Sequence, residues 1–431
     1  MRKRKVKKWC SAILAAVMVV ALIPVTVFAA GSECPNGNGC TEHAAAIGDV
    51  HYDTLQAAID DADSGEEIRL LKNVEESGVT FKKEGTYTLD LNEKILSTTA
   101  VTSEIIALKT PNLNLNIKNG RMEAEASDTY GIYAYSNGGT APAGDYANLN
   151  LTLDGVTIDC VDQPVGVQGN NSNQNVTIKN SVITCDTTGV YFPPKSGKLI
   201  IDNSQITALN NGIVAKGGEV EIIGENTVIR ATGTPEESDK PYDGNVTGQG
   251  FPKTGSAIYV EGNYKIGNQA RPINIDIKDG KIESDKGASV AVNYLQDQSV
   301  QKTEIEGGVF SSDVMQFVTD NSTAASLTSG DKSIYYVGNP ETVAERVASD
   351  AEAGNSIVVK KGNASFTNLP DDITVTNEGG GNVTANGEAV TDLPVDTHTH
   401  MWGEPTWNWA EDSGSAEAVF VCAKDSSHRQ A

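Results

Sequence analysis

One spacing recurs through the middle of this chain and limits its fold more than any other feature. An apolar residue is followed five places later by a second in the pairs Ile117 and Met122, Leu153 and Ile158, Ile178 and Ile183, Ile201 and Ile206, Ile277 and Ile282, and Ile305 and Phe310. Between the members stand KNGR, DGVT, KNSV, DNSQ, KDGK and EGGV, so Asn, Asp, Gly or Ser fills the middle places almost throughout. These residues accept a left-handed backbone or cap a turn with their own side chains. Each unit therefore reads strand, tight turn, strand. Leu91 to Leu96 reads as an earlier, poorer copy, and Ile222 to Ile229 as a copy with two extra residues.

Two places beyond the second anchor stand Ala124, Cys160, Cys185, Ala208, Ser284 and Ser312, all small. Strand residues alternate faces with period two, so this place shares the inward face and lets the wall bend. A third short strand opened by glycine follows at YGIY (130–133), VGV (165–167), TGVY (188–191) and NGIV (211–214). First anchors from Ile117 to Ile222 are 36, 25, 23 and 21 residues apart, with no helical period between them. That excludes a helical crossover and fits a right-handed parallel β-helix whose coils stack about 4.8 Å apart. A β-sandwich of hairpins is the alternative, and the regular register argues against it. On this reading Asn180 and Asn203 occupy neighbouring coils and should stack.

The fold class expected is all-β: a right-handed parallel β-helix (solenoid) over residues 76–338, with a short N-terminal cap helix and a small C-terminal β module. The cap lies in 31–75, where HYDTLQAAIDDADSGEEIRLLKNV (51–74) offers Leu55, Ala58, Ile59 and Ala62 on one helical face, with a capping box from Asp53 to Gln56. A cognate unit opens 339–395: Asn339 caps, Pro340 suits the first turn, and Val343, Val347 and Ala351 form the stripe. It either closes the β-helix or starts a small β-rich segment. Residues 396–431 read as a Trp-rich hairpin module that ends as it begins to close, so a longer natural protein is expected.

Residues 1–30 read as an export signal. Arg2, Lys3, Arg4, Lys5, Lys7 and Lys8 precede SAILAAVMVVALIPVTVF and a small-residue cleavage site near Ala29 or Ala30, and no lipobox surrounds Cys10. Cleavage removes six positive charges and no negative ones, taking the formal net charge from −24 to −30. So acidic a chain is repelled by nucleic acid and anionic lipid. The reading is a secreted or cell-surface monomer, with no membrane contact beyond the signal. No cofactor is required by the residues, while calcium or zinc stays open; no D-x-D-x-D-G loop is present.

Five cysteines remain after cleavage, an odd number that excludes complete pairing within the chain. Cys34 and Cys40 bracket PNGNG, a small loop that a disulfide would close in an exported protein. Cys160 and Cys185 share one coil position, which puts their Cα atoms about 5 Å apart, within disulfide range. Two buried thiols packing as small hydrophobes is the other reading.

Ligand-binding candidates lie where the repeat is interrupted. The insertion TGTPEESDKPYDGNVTGQGFPKTG (232–255) presents Tyr242 and Phe251 for aromatic contact and Asp243 and Asn245 for polar contact, or else is a plain surface loop. A second insertion, 135–146, lengthens another coil and can lie on the same side. Three of the four tryptophans, Trp402, Trp407 and Trp409, fall in the C-terminal module, as a sugar-stacking platform or as the core of a small unit. His398, His400, Cys422 and His428 carry zinc-ligand chemistry, with C-x5-H near finger spacing; surface histidines are the alternative.

The coil region, roughly 66–335, resembles the pectate-lyase-like right-handed β-helix superfamily. Together with the signal, CPNGNGCTEH, TLQAAIDDADSGEEIRLLKNV and HTHMWGEPTWNWAEDSGSAEAVFVC, it looks like large surface proteins of Gram-positive gut and oral bacteria. That resemblance implies an adhesin-like or glycan-binding stalk. The superfamily also includes polysaccharide enzymes. Polygalacturonase-like members resemble one another in paired aspartates near a Gly-His-Gly, yet all five histidines here (43, 51, 398, 400, 428) lie outside the coils. Asp60-Asp61 and Asp371-Asp372 read as solvated faces. Lyase chemistry needs a cationic base beside calcium-holding carboxylates. Arg121, Arg230 and Arg271 are the coil arginines, and none assembles such a face, so no catalytic residue is assigned. The expected function is an exported adhesin-like or glycan-binding rod whose partner is a glycan or a host or neighbour cell surface. A polysaccharide lyase or glycoside hydrolase, and a purely structural stalk, are the alternatives.

Overall fold

The computed structural model describes residues 40–98, 104–126, 129–134, 148–167, 173–235, 253–262, 265–266, 269–270, 272–293, 300–391, 395–397, 401–409, 415–424, 426 and 428–430. Its body is a parallel β-helix of three walls. In wall one, register aligns Ile68, Leu89, Ile117, Leu153, Ile178, Ile201, Ile222, Ile277 and Ile305 in one inward column. Wall two aligns Val74, Leu96, Met122, Ile158, Ile183, Ile206, Ile229, Ile282 and Phe310. Wall three aligns Val79, Ile106, Ile132, Val165, Val190, Ile213, Ile258 and Val290. Every one of these side chains is buried, in one continuous core. Nine coils at about 4.8 Å each give a stack roughly 40 Å long. Each fully buried Ile or Leu contributes roughly 1.5–3 kcal/mol, so the columns outweigh any surface contact.

The corner between walls one and two explains the residues between the anchors. Asn119, Gly155, Asn180 and Asn203 are register equivalents, and all have positive φ, from 43° to 66°. A Cβ on Gly155 would meet nothing closer than 3.9 Å, so glycine stands there for its backbone angle, not for space. Asn180 and Asn203 do hold equivalent places, but their amides do not bond each other. Asn180 donates to Asp154 of the coil before at 2.9 Å, and Asn203 donates to its own neighbour Asp202. The Asn180 amide is the main cause holding the Asp154 carboxyl below its ordinary pKa, with Lys179 assisting. One step further in, Ser181 and Ser204 are buried and receive backbone N–H groups from the preceding coil, Val156 to Ser181 at 3.1 Å and Ser181 to Ser204 at 3.0 Å.

Two local readings change. The residue matching Ile117 in the earlier copy is Leu89, not Leu91; the turn there holds two extra residues, with Asn92 and Glu93 both at positive φ, and Leu91 is buried within it. In the cap helix α1 (Leu55–Asp61), Thr54 is the N-cap instead of Asp53, accepting from the Ala57 N–H at 3.1 Å. The Glu76 carboxylate of the first coil accepts from the Leu55 N–H at 2.6 Å, tying the helix start to the rod. Helix α2 (Pro340–Asp350) is capped by Asn339, which accepts from the Thr342 N–H at 2.9 Å.

Antiparallel strands close the first strand of wall one and the last strand of wall two. Strand Ala45–Ile47 pairs with Glu67–Leu70 at the start, and Lys332–Gly338 pairs with Gly308–Phe310 at the end. Beyond this, α2 packs with strands from Thr323 to Val390 around a second core that includes Leu327, Tyr336, Val343, Ile357, Phe366 and Ile373. A three-stranded antiparallel sheet of Thr406–Trp409, Ala416–Val421 and Arg429–Gln430 follows.

Replacing Asn180 by Ala should lower stability by about 1 kcal/mol, because alanine tolerates the left-handed corner poorly. Asn180→Gly should change it by less than half of that. Thermal midpoints of both variants check the order; equal losses would contradict the corner's role.

Candidate functional site

Tyr242, Asp243, Asn245 and Phe251 lie outside the described residues, as do His398, His400 and Cys34. The connection that carries the first four joins Val228–Ala231 of wall two to Ile258–Glu261 of wall three. The insertion at 135–146 lies in the connection from Tyr130–Ala134 of wall three to Asn148–Cys160 of wall one. The two insertions thus leave the coil at opposite ends of wall three, so both border that wall, and residues 135–147 and 236–252 lie outside the described residues.

In the C-terminal sheet, Trp407 and Trp409 are 56% and 68% exposed. They stand two residues apart on one strand and so on one face of it. The structure therefore does not use them as the core of the module. Cys422 is buried, its N–H donating to the His428 carbonyl at 3.0 Å, and the His428 ring faces Glu388 at 3.3 Å. Two of the four residues read as a zinc set are thus described, and they meet through backbone.

Cys160 and Cys185 are direct register partners on adjacent coils, as expected. Both are free thiols, so the bridge that the spacing allowed is not formed. The Cys160 thiol donates to the Asp162 carbonyl at 2.7 Å. Burial pushes both thiols upward, Cys185 to about 12. Thiolate, the reactive form, is scarce there. Iodoacetamide should leave both untouched in the native protein at neutral pH and label both after denaturation, as read by peptide mass; rapid native labelling would contradict this burial.

The coil arginines are committed elsewhere. Arg121 pairs with Glu123 at 2.7 Å and Asp159 at 3.0 Å, and Arg230 with Asp285 at 2.9 Å, while Arg271 is outside the described residues. A different cation is the unusual one. Lys216 follows strand Asn211–Ala215 by one residue, and Ala215 pairs with Val260, so Glu261 of the next coil stands beside it. Both occupy outward places of wall three, yet each is only 1% exposed. The ammonium lies 5.2 Å from the centre of the Tyr191 ring. The Tyr259 hydroxyl donates to Glu261 at 2.6 Å, and the Asn293 amide donates to the same carboxylate at 3.2 Å. Tyr191, Val214 and Tyr259 form an apolar cluster of their own around this group. Burial lowers the Lys216 pKa from 10.5 to about 8, with Glu261 pulling the other way.

No signal in the sequence marks this group, because an outward lysine after a strand is ordinarily solvated. A lysine with a lowered pKa beside a carboxylate has the chemistry of a general base. Its enclosure keeps a polymer away from it, and the arrangement acts as a brace joining two coils. No family model, curated protein or solved structure matches this chain.

Lys216 holds its proton less tightly when folded than when unfolded. Between pH 8 and 10.5 the unfolded chain binds more protons, so this residue's contribution to stability rises with pH across that window. The wild type should gain stability relative to Lys216→Met between those two pH values, as urea midpoints would show. A difference that does not vary with pH would contradict the assignment.

Proposed function

We propose that this protein is an exported β-helical rod that binds glycan at a cell surface, with the exposed tryptophan pair as its contact. The observation that carries this reading is the position of Trp407 and Trp409, 56% and 68% exposed on one strand face. Two indole rings on alternate strand residues sit roughly 7 Å apart and present a flat apolar surface. Sugar rings have flat C–H faces that stack on such surfaces, and large exposed aromatics are otherwise disfavoured in water. Met401 and Trp402, in the same C-terminal module, are also exposed, at 58% and 38%. The resemblance to surface proteins of Gram-positive gut and oral bacteria, and to the pectate-lyase-like β-helices, points the same way. Among the described residues no helix is long and apolar enough to cross a membrane.

The lyase alternative has less support. Arg121 and Arg230 sit in ion pairs, and Lys216 is enclosed. The stalk alternative predicts no binding at all.

A glycan array followed by titration with the best-binding soluble polysaccharide, with and without calcium, tests the reading. Replacing Trp407 and Trp409 together by Ala should weaken binding roughly tenfold or more, at about 1 kcal/mol per ring. The thermal midpoint should be unchanged, since exposed side chains contribute little to folding. Binding that survives the double substitution would sink the tryptophan assignment. Calcium-dependent unsaturated products would replace it with a lyase.

A further inference from the structure

We propose that Cys40, His43 and His51 bind a zinc ion that fastens the N-terminal hairpin to the start of the rod. The hairpin consists of Ala45–Ile47 and Val50–Tyr52, turning at Gly48, where φ is 56°. Alternation along it separates two faces. Ala45 and Tyr52 join the main core, whereas Ala46 and its register partner His51 point the other way. That second face is covered by Cys40, which packs on Ala46 and Leu71. The segment from Cys40 to Ala44 is tied to the first coil by the Leu71 N–H, which donates to the Ala44 carbonyl at 2.9 Å.

One donor atom from each of the three side chains lies within 4.8 Å of the other two. Cys40 Sγ is 3.1 Å from His43 Nδ1, and the two imidazole rings meet edge to face with centres 5.4 Å apart. In a tetrahedral zinc site, bonds of about 2.3 Å to sulfur and about 2.0–2.1 Å to nitrogen put neighbouring ligand atoms roughly 3.3–3.6 Å apart. The cluster needs only a small closing movement to reach that geometry.

A second, independent observation points to a ligand. His51 is 5% exposed, and its Nδ1 is buried with no hydrogen-bond partner. Leaving such an atom unsatisfied costs about 1–3 kcal/mol and is rare. A metal bond through this nitrogen would satisfy it. On the far side of His43, Nε2 lies 3.7 Å from the Asp53 carboxylate, beyond hydrogen-bond length but on the side where an outer-shell carboxylate of a metal-bound imidazole stands. One thiolate and two imidazoles form a donor set of intermediate softness that suits zinc, and three protein ligands leave a fourth position for water or another group.

This site competes with the Cys34–Cys40 bridge expected from the sequence, because a disulfide sulfur is not a thiolate ligand. The test uses the full exported chain, reduced, stripped with chelator and titrated with cobalt(II), which reports the coordination of zinc sites by its absorbance. One equivalent should produce a thiolate-to-cobalt charge-transfer band with visible bands of tetrahedral intensity, and zinc should displace it. Cys40→Ser should abolish the charge-transfer band, and His51→Asn should weaken metal affinity at least tenfold, a loss of about 1.4 kcal/mol or more. Stripping metal from the wild type should lower its thermal midpoint without any substitution, which keeps the test valid if a variant folds poorly. A reduced wild type without the charge-transfer band, a band that survives Cys40→Ser, or a Cys34–Cys40 disulfide that persists in native protein under reductant would each overturn the proposal.

Discussion

Everything in this molecule depends on inward side chains of successive coils lying directly above one another. Backbone hydrogen bonds between parallel strands set the spacing along the axis, and they would form equally well in a shifted register. The apolar columns select one register, since a slip of one residue would turn Ile178, Ile201 and Ile222 out to solvent and bring Thr177, Ile200 and Glu221 in. The left-handed corner at Asn119, Gly155, Asn180 and Asn203 repeats that choice in four successive coils, and Gly280 and Gly308, one place later, turn the last two, so the second anchor reaches the inward face after the same number of residues. Where the turn gains two residues, at 91–94 and 224–227, the columns on either side remain intact.

A stack of parallel strands leaves a bare edge at each end, and such edges invite pairing with other chains. Here the first strand of wall one and the last strand of wall two are each met by a strand running the opposite way, Ala45–Ile47 and Lys332–Gly338. The exposed indoles belong to the last small sheet, and the Cys40, His43 and His51 cluster to the first hairpin. The enclosed Lys216, Glu261 and Tyr259 group braces wall three from outside, as the apolar columns do from within.

The columns were legible in the sequence because the same demand is made of every coil. Six pairs at one spacing, with turn formers between them, leave one architecture. The third wall was legible from an opening glycine before apolar residues at Gly131, Gly189 and Gly212, whereas Gly166 stands in the register place of Tyr133 and Tyr191, and α2 was legible from Asn339, Pro340 and its apolar stripe. Leu89 was missed because Leu91 sits five places before Leu96 and imitates the repeat, while only register shows which leucine matches Ile117. Thr54 and Asp53 are both good caps, and the backbone angles of Thr54 decide between them. The candidate sites were less legible for a different reason. Cys40, His43 and His51 converge only after a hairpin folds back on the segment before it, and Lys216 meets Glu261 across 45 residues of sequence. Trp407 and Trp409 alternate as a buried hairpin face would, and solvent exposure is not written in that alternation.

Cross-linking across wall one tests the coil register most directly. Thr177 and Ile200 are register partners whose side chains point outward, one coil apart. Cysteines at these two positions should join readily under mild oxidation, since neighbouring strands put the Cα atoms about 4.8 Å apart. A Thr177→Cys and Lys198→Cys pair, offset by two residues, stands roughly 8 Å apart and should not join. Preferential closure of the first pair, mapped by mass spectrometry, is the result this account predicts. Preferential closure of the second pair, or of neither, would contradict the stacked columns on which the structure rests.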